Sequence, residues 1–198
     1  MSQNQISFGF SLLRKYNIPT APFIIVSELS DLPKNFLTFP LVLKACLLEH
    51  KSELGAVKIV YNREELEKGF EKLRKKFRVP ILVQKFVEGF ELIIGAKQDP
   101  IFGSLVMVGE GGIFTEYRKD ISFRLAPISK KEALEMIKEI NFYSVLKGFR
   151  GRKANLNLLA EVVSKVSELS FKEKIELDIN PFILNEKEGY AVDVRVTK

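Results

Sequence analysis

The stretch IELDIN, residues 175–180, alternates Ile175, Leu177 and Ile179 with Glu176, Asp178 and Asn180, the two-residue period of a strand with one buried face. Three oxygen-bearing side chains then share the other face. A turn-forming NEKEG follows, and YAVDVRV places Val192 and Val194 on the buried side and Asp193 and Arg195 on the polar one, beside Asn180 if the two segments pair as an antiparallel hairpin. Asn180, Asp193 and Asp178 are hard oxygen donors of the kind Mg²⁺ takes one or two at a time, together with water and phosphate oxygens. An ordinary half-solvated hairpin has the same pattern, so the spacing alone leaves both readings open.

Other residues extend the chemistry. GEGGIFTE, at 109–116, sets Gly109, Gly111 and Gly112 after an apolar run, where backbone N–H groups can approach a phosphate, although it is neither the Walker pattern nor G-x-G-x-x-G. Arg124 in SFRLAP can fork onto a phosphate or pair with a carboxylate. Lys44 stands inside the apolar LVLKA, where a buried ammonium is costly unless it meets an anion and an edge lysine would snorkel to water. Glu91 opens ELIIGA and can accept from ribose hydroxyls or face solvent. His50, the single histidine, lies between Glu49 and Lys51 beyond the single cysteine, Cys46, and is a candidate nucleophile. A lysine, an arginine, a glycine turn, a carboxylate and an asparagine are together what a nucleotide phosphoryl-transfer site needs.

These groups must be held by regular elements. Asn62 with Glu65 reads as a helix start, followed by Leu66, Phe70, Leu73 and Phe77 on one face until Pro80; Ser129 with Glu132 reads as a second, leading into Ala133, Met136, Ile137 and Ile140. A third helix is expected over about 155–169 and an amphipathic opening helix over about 7–16. Strand-like runs lie between them: PFIIV, FPLVLKA, VKIVY, ILVQKFV, FELIIGAK, SLVMVG, FRLAP, IELDIN and YAVDVRV. Strands and helices are mixed, so the chain reads as α+β in two lobes, residues 1–85 and 86–198, with the change near 83–89.

With 198 residues, 46% of them hydrophobic, a sizeable core needs no staples, and one cysteine forms no internal disulfide. No apolar run approaches the roughly 20 residues that span a bilayer, and no leader pattern opens the chain, so a cytoplasmic protein without a membrane partner is expected. The net charge of +6 suits an anionic small ligand, since acidic residues are interspersed throughout and no nucleic-acid footprint stands out. Abundant lysine and glutamate with no tryptophan lean towards a heat-adapted source.

The segments FPLVLKACLLEHKSELGAVKI, LVQKFVEGFELIIGAKQDPIFGSLVMVGEGGIFTEYRKDISFRLAPI and IELDINPFILNEKEGYAVDVRV closely resemble the β subunit of ADP-forming acetyl-CoA synthetases, ATP-grasp proteins, and more distantly that of succinyl-CoA synthetase. The resemblance implies an ATP-grasp fold, with two α+β lobes and the nucleotide site between them. It puts the family's strand lysine on Lys44, the ribose-binding glutamate on Glu91, the phosphate-loop glycines on Gly111 and Gly112, and the Mg²⁺ ligands on Asn180 and Asp193. Its HKS motif falls on His50, Lys51 and Ser52, the histidine being similar to one that takes a phosphoryl group from a phosphohistidine on an α subunit and passes it to ADP. The implied cofactor is Mg²⁺, with ATP or ADP as substrate, and the implied partner an α subunit carrying the CoA and acid sites, in an α2β2 complex.

Two positions depart from the family's pattern. Gln84-Lys85 stands where Gln-Glu is usual, which would shift base recognition towards backbone groups near Val83 and Lys85. Gly55-Ala56 stands where Gly-Gly is usual. A noncatalytic nucleotide-sensing module and a free-standing ATP-grasp carboxylate ligase are the alternative readings, and neither needs an imidazole at position 50.

Overall fold

The Asn62 side chain accepts a hydrogen bond from Glu65 N at 2.9 Å, so the helix begins where the sequence signals it. The computed structural model describes residues 3–47, 54–112 and 120–197. It divides into two compact units, one of Met1–Phe8 with Ala21–Val87, the other of Gly9–Thr20 with Glu88–Lys198. The opening helix, α1 (Gln3–Lys15), contributes to both.

In the first unit β1 (Phe23–Val26), β2 (Leu41–Ala45), β3 (Val57–Val60) and β4 (Ile81–Lys85) form an antiparallel sheet in the order β1-β4-β2-β3, with α2 (Arg63–Phe77) packed against it. The period of two turns Leu41, Leu43, Ala45, Ile81 and Val83 towards Leu66, Phe70 and Leu73 of the helix, forming one buried cluster. Each such large side chain contributes about 1.5–3 kcal/mol through burial. Gly69 lets α2 sit close, since a Cβ there would lie 3.1 Å from Leu43 Cδ1. Arg78 ends the helix in a left-handed cap at φ 55°, its N–H donating to Arg74 O. Ala56 is fully buried in the same cluster, so a methyl there fills core space. The alternation that commits those residues to α2 sends Val42, Lys44, Leu82 and Gln84 to the opposite face, where Val42 pairs with Gln84 and Lys44 with Leu82.

The second unit holds β5 (Phe90–Asp99), β6 (Gly103–Glu110), β7 (Ile121–Leu125), β8 (Glu176–Leu184), β9 (Gly189–Ala191) and β10 (Arg195–Thr197), antiparallel in the order β10-β8-β5-β6-β7, with β9 also on β8. Helix α3 (Lys130–Glu139) starts from the Ser129–Glu132 capping box, α4 (Tyr143–Lys147) is short, and α5 (Leu156–Glu173) runs past the expected residue 169. Helix α5 packs on β5, β6 and β8, burying Leu92, Ile94, Ala96, Val106 and Val108 beneath Leu159, Val162, Val163 and Val166. Glu91, Gly95, Asp178 and Asn180 are thereby left on the other face of the sheet.

Two features differ from the sequence reading. The boundary falls between 87 and 88 instead of 85 and 86, and residues 9–20 join the second unit. Contacts explain the latter: Tyr16 donates to Glu173 at 2.7 Å, Ala191 N donates to Pro19 O at 2.9 Å, and a Cβ on Gly9 would lie 2.9 Å from Val194. The segment read as one strand, YAVDVRV, is two short strands separated by residues 192–194, and Val192 is half-buried while Val194 is buried.

Candidate nucleotide and metal site

Over residues 175–180, Ile175, Leu177 and Ile179 are buried while Glu176, Asp178 and Asn180 are half-buried, as the alternation requires. Leu92 pairs with Phe182 and Ile94 with Ile179, so Asn180 and Pro181 together oppose Ile93 in a β-bulge. A bulge accommodates a proline, which has no N–H to give the ladder, and it re-aims the residue beside it. The pairs Phe182–Ala191 and Arg195–Asp178 keep one register on both sides of the break, which sets Asp193 level with Asn180. Asp178 lies near both Asp193 and Arg195: burial pushes its carboxyl above the usual carboxylate range, and Asp193's charge adds to this while Arg195 pulls it back. Two carboxylates and an amide oxygen thus gather at one end of the hairpin. Among the described residues no group of three or more His, Cys, Asp or Glu side chains closes around an ion. A hard divalent ion held by Asn180, Asp193 and Asp178 would therefore complete its shell with water and phosphate oxygens, which fits Mg²⁺.

The glycine turn meets this strand. Gly111 N donates to Glu91 O at 2.9 Å, and Gly112 N faces Asn180 Oδ1 at 3.4 Å. A Cβ on Gly111 would fall 2.6 Å from the Leu92 carbonyl carbon, and one on Gly112, whose φ is +79°, would fall on the Glu91 carboxylate. Only glycine permits so close an approach, so Glu91, Gly111, Gly112 and Asn180 form one cradle within the second unit.

The first unit supplies a second set. Lys44 is 8% exposed and Gln84 wholly buried, both on the sheet face opposite α2. Both amide atoms of Gln84 are buried without a hydrogen-bond partner among the described residues. Val83 points into the core cluster, so only its backbone is offered to a ligand. Lys85 turns to the α2 side, where its ammonium donates to Phe36 O at 2.7 Å and lies 4.7 Å from the Phe36 ring centre. Its pKa is lowered by burial. The ammonium also reaches Thr38 O at 3.4 Å, so a lysine serves both carbonyls and a carboxylate in its place would repel them.

An unsatisfied buried amide costs about 1–3 kcal/mol, and 1 kcal/mol corresponds to about 2–4 °C in a chain of this size. Gln84→Met is therefore expected to raise the melting temperature of the nucleotide-free chain by a few degrees while weakening nucleotide binding. Thermal melts and calorimetry check both signs, and a variant that melts lower and binds normally rejects a ligand role for Gln84.

Arg124 is held in an ion pair with Glu139 at the end of α3, and also donates to Phe123 O at 2.8 Å. Glu139 further accepts from Ser122 Oγ at 2.6 Å, and these bonds hold its pKa below the ordinary glutamate value. To bind phosphate the guanidinium would first have to leave Glu139. His50 and Lys51 lie outside the described residues. Sequence reasoning passed over Asn185, whose only signal was an asparagine opening a turn.

The sequence matches the ATP-grasp domain over residues 7–197. The chain is an ATP-grasp protein. It is 39% identical over 202 residues to the β subunit of acetate–CoA ligase [ADP-forming] I of Pyrococcus furiosus, covering 93% of this chain and 87% of that subunit, and belongs to the same family. To acetate–CoA ligase [ADP-forming] I of Archaeoglobus fulgidus it is 40% identical, and there it spans 29% of the relative's length. A solved structure of the dinucleotide-forming acetyl-coenzyme A synthetase 1 of Ca. Korarchaeum cryptofilum superimposes with a TM-score of 0.83 at 34% identity, covering 99% of this chain and 91% of that one. That structure contains coenzyme A and Mg-AMPPCP, with its phosphohistidine segment pointing towards the nucleotide-binding site. The ATP-grasp fold anticipated from the sequence is thus the fold of the chain.

Proposed function

We propose that this ATP-grasp chain is the nucleotide-binding β subunit of an ADP-forming acyl-CoA synthetase, active only with an α subunit that carries the CoA and acid sites. The reaction is acyl-CoA + ADP + phosphate ⇌ carboxylic acid + ATP + CoA. The observation that carries the nucleotide site is the cradle in which Gly112 lies against Glu91 and Asn180. The partner is supported by relatives: the chain matches 87% of a separate β subunit, and 29% of a relative in which it is part of a longer chain. An α2β2 assembly follows as part of the same proposal.

Each residue has a defined task. Glu91 accepts from ribose hydroxyls, the Gly111 and Gly112 turn lets the backbone approach the phosphates, and Lys44, Lys51 and Arg124, if released from Glu139, offset phosphate charge. Gln84 and the backbone of Val83 and Lys85 serve the base. Asn180 and Asp193, with Asp178, hold Mg²⁺, which when bound neutralises charge on the phosphate oxygens. His50 carries the phosphoryl group: the partner's phosphohistidine P–N bond breaks as a His50 P–N bond forms. That bond then breaks as a terminal phosphate oxygen of ADP attacks. Among the described residues no helix is long and apolar enough to cross a membrane.

Calorimetry of the isolated chain with Mg·ADP is the direct test, with Gly112→Ala as its control. Wild type is expected to bind, and Gly112→Ala to bind at least about tenfold more weakly, the equivalent of about 1.4 kcal/mol. No nucleotide binding by wild type, or normal binding by Gly112→Ala, would reject the site.

A further inference from the structure

Asn185, at the turn between β8 and β9, makes bonds in two directions. Its Oδ1 accepts from Lys187 N at 2.9 Å and Glu188 N at 3.0 Å, closing the turn, and its Nδ2 donates to Glu88 O at 2.9 Å. Two backbone donors fix which end of the amide is the oxygen, so the NH₂ must face Glu88. Glu88 is the first residue of the second unit on the path into β5, and the ladder between β5 and β8 ends at Phe90–Leu184. The Asn185 amide therefore supplies one more rung beyond the last backbone pair. Gly89 makes the approach possible, because a Cβ there would lie 2.5 Å from Leu184 O. Just beyond this rung stands Glu91, whose backbone O receives Gly111 N and whose carboxylate abuts Gly112.

We infer that Asn185 is a positioning residue: by pinning Glu88 to the β8–β9 turn it sets the start of β5, and so holds the Glu91 carboxylate where it meets the ribose of a bound nucleotide. The inference rests on the nucleotide-site reading above. Asn185 touches no substrate and acts through Glu91. Beside the β5–β8 ladder, in which Glu91 pairs with Ile183, the other side-chain support at Glu88 is weak: Arg152 reaches it at 3.5 Å with both side chains largely exposed, and such a pair contributes little.

Asn185→Asp separates the two directions. The aspartate keeps an oxygen for the Lys187 and Glu188 N–H groups, but its other oxygen faces the Glu88 carbonyl and donates nothing. In the full chain it is expected to melt a few degrees below wild type, since the Glu88 bond is lost while the turn bonds remain, whereas Asn185→Ala opens the turn as well. Mg·ADP should bind Asn185→Asp about five- to tenfold more weakly, the scale of one hydrogen bond lost. Mg·2′,3′-dideoxy-ADP, which lacks the hydroxyls Glu91 would accept from, should bind wild type and Asn185→Asp alike. Combining Asn185→Asp with Glu91→Gln should cost no more than Glu91→Gln alone, the non-additivity of residues acting through one contact. Normal ADP binding by Asn185→Asp, or an equal loss for both nucleotides, overturns the positioning role and leaves the nucleotide site standing. A wild type that binds neither nucleotide overturns the site itself, and this inference with it.

Discussion

His50→Ala is expected to abolish the overall reaction with the α subunit while leaving Mg·ADP binding within a few-fold of wild type. In the proposed function the imidazole carries the phosphoryl group and takes no part in nucleotide binding, so its loss should stop transfer and spare binding. An ordinary histidine is mostly neutral at pH 7, with a ring nitrogen free to attack phosphorus. Phosphoryl transfer then depends on positioning and charge neutralisation, and Lys51 beside His50 offers the latter. Incubation of the wild-type chain with phosphorylated α subunit should leave an acid-labile, base-stable phosphate on the chain, and the variant should carry none. Turnover near the wild-type rate in His50→Ala would end the carrier role.

Asp193→Ala is expected to remove the Mg²⁺ dependence of nucleotide binding and to lower turnover by about 100-fold or more, since a metal that stabilises phosphoryl charge contributes several kcal/mol and each 1.36 kcal/mol is tenfold in rate. Asp193 is the carboxylate level with Asn180, and its loss leaves Asp178 as the hairpin's remaining acid near that point. A second readout follows from the electrostatics. Asp193's charge helps push the Asp178 carboxyl up, so in the variant the Asp178 pKa should move down towards the usual range, visible in an NMR titration. The variant also loses the bond from Val194 N to Asp193 Oδ1 at 3.1 Å. Unchanged Mg²⁺ dependence would transfer the metal to other ligands.

What the sequence made legible was what depends on short-range pattern. The two capping signals, Asn62 with Glu65 and Ser129 with Glu132, start helices as read, and the alternation in 175–180 sorts buried from polar residues as read. Long-range packing was less accessible. The attachment of residues 9–20 to the second unit depends on Tyr16 finding Glu173 and Gly9 finding Val194, partners far away in the chain. The break in the last strand, over residues 192–194, lies opposite Asn180 and Pro181 of its neighbour, a juxtaposition the sequence YAVDVRV does not itself contain. The direction of Lys85 likewise depends on the Phe36 and Thr38 carbonyls, and the pairing of Arg124 on a helix end that only the fold brings near. At the candidate site, residue types pointed to the chemistry, whereas the closeness of Gly112 to Glu91 and the burial of the Gln84 amide, without a partner among the described residues, arise only in the folded chain.

The shared register on either side of the break in the last strand has a consequence for how this hairpin can change over time. Glu186, Lys187 and Glu188 are exposed, and most side chains there can be exchanged freely. Their number cannot. Losing or gaining one residue between Asn180 and Asp193 would slide the returning strand by one step, and a strand shifted by one step turns each side chain to the opposite face. Asp193 would then point into the packed side and Val194 out of it. Between Asn185 and Gly189 the turn should thus drift widely in composition among functional descendants while its length stays fixed, a constraint on counting at three positions that carry almost none on chemistry.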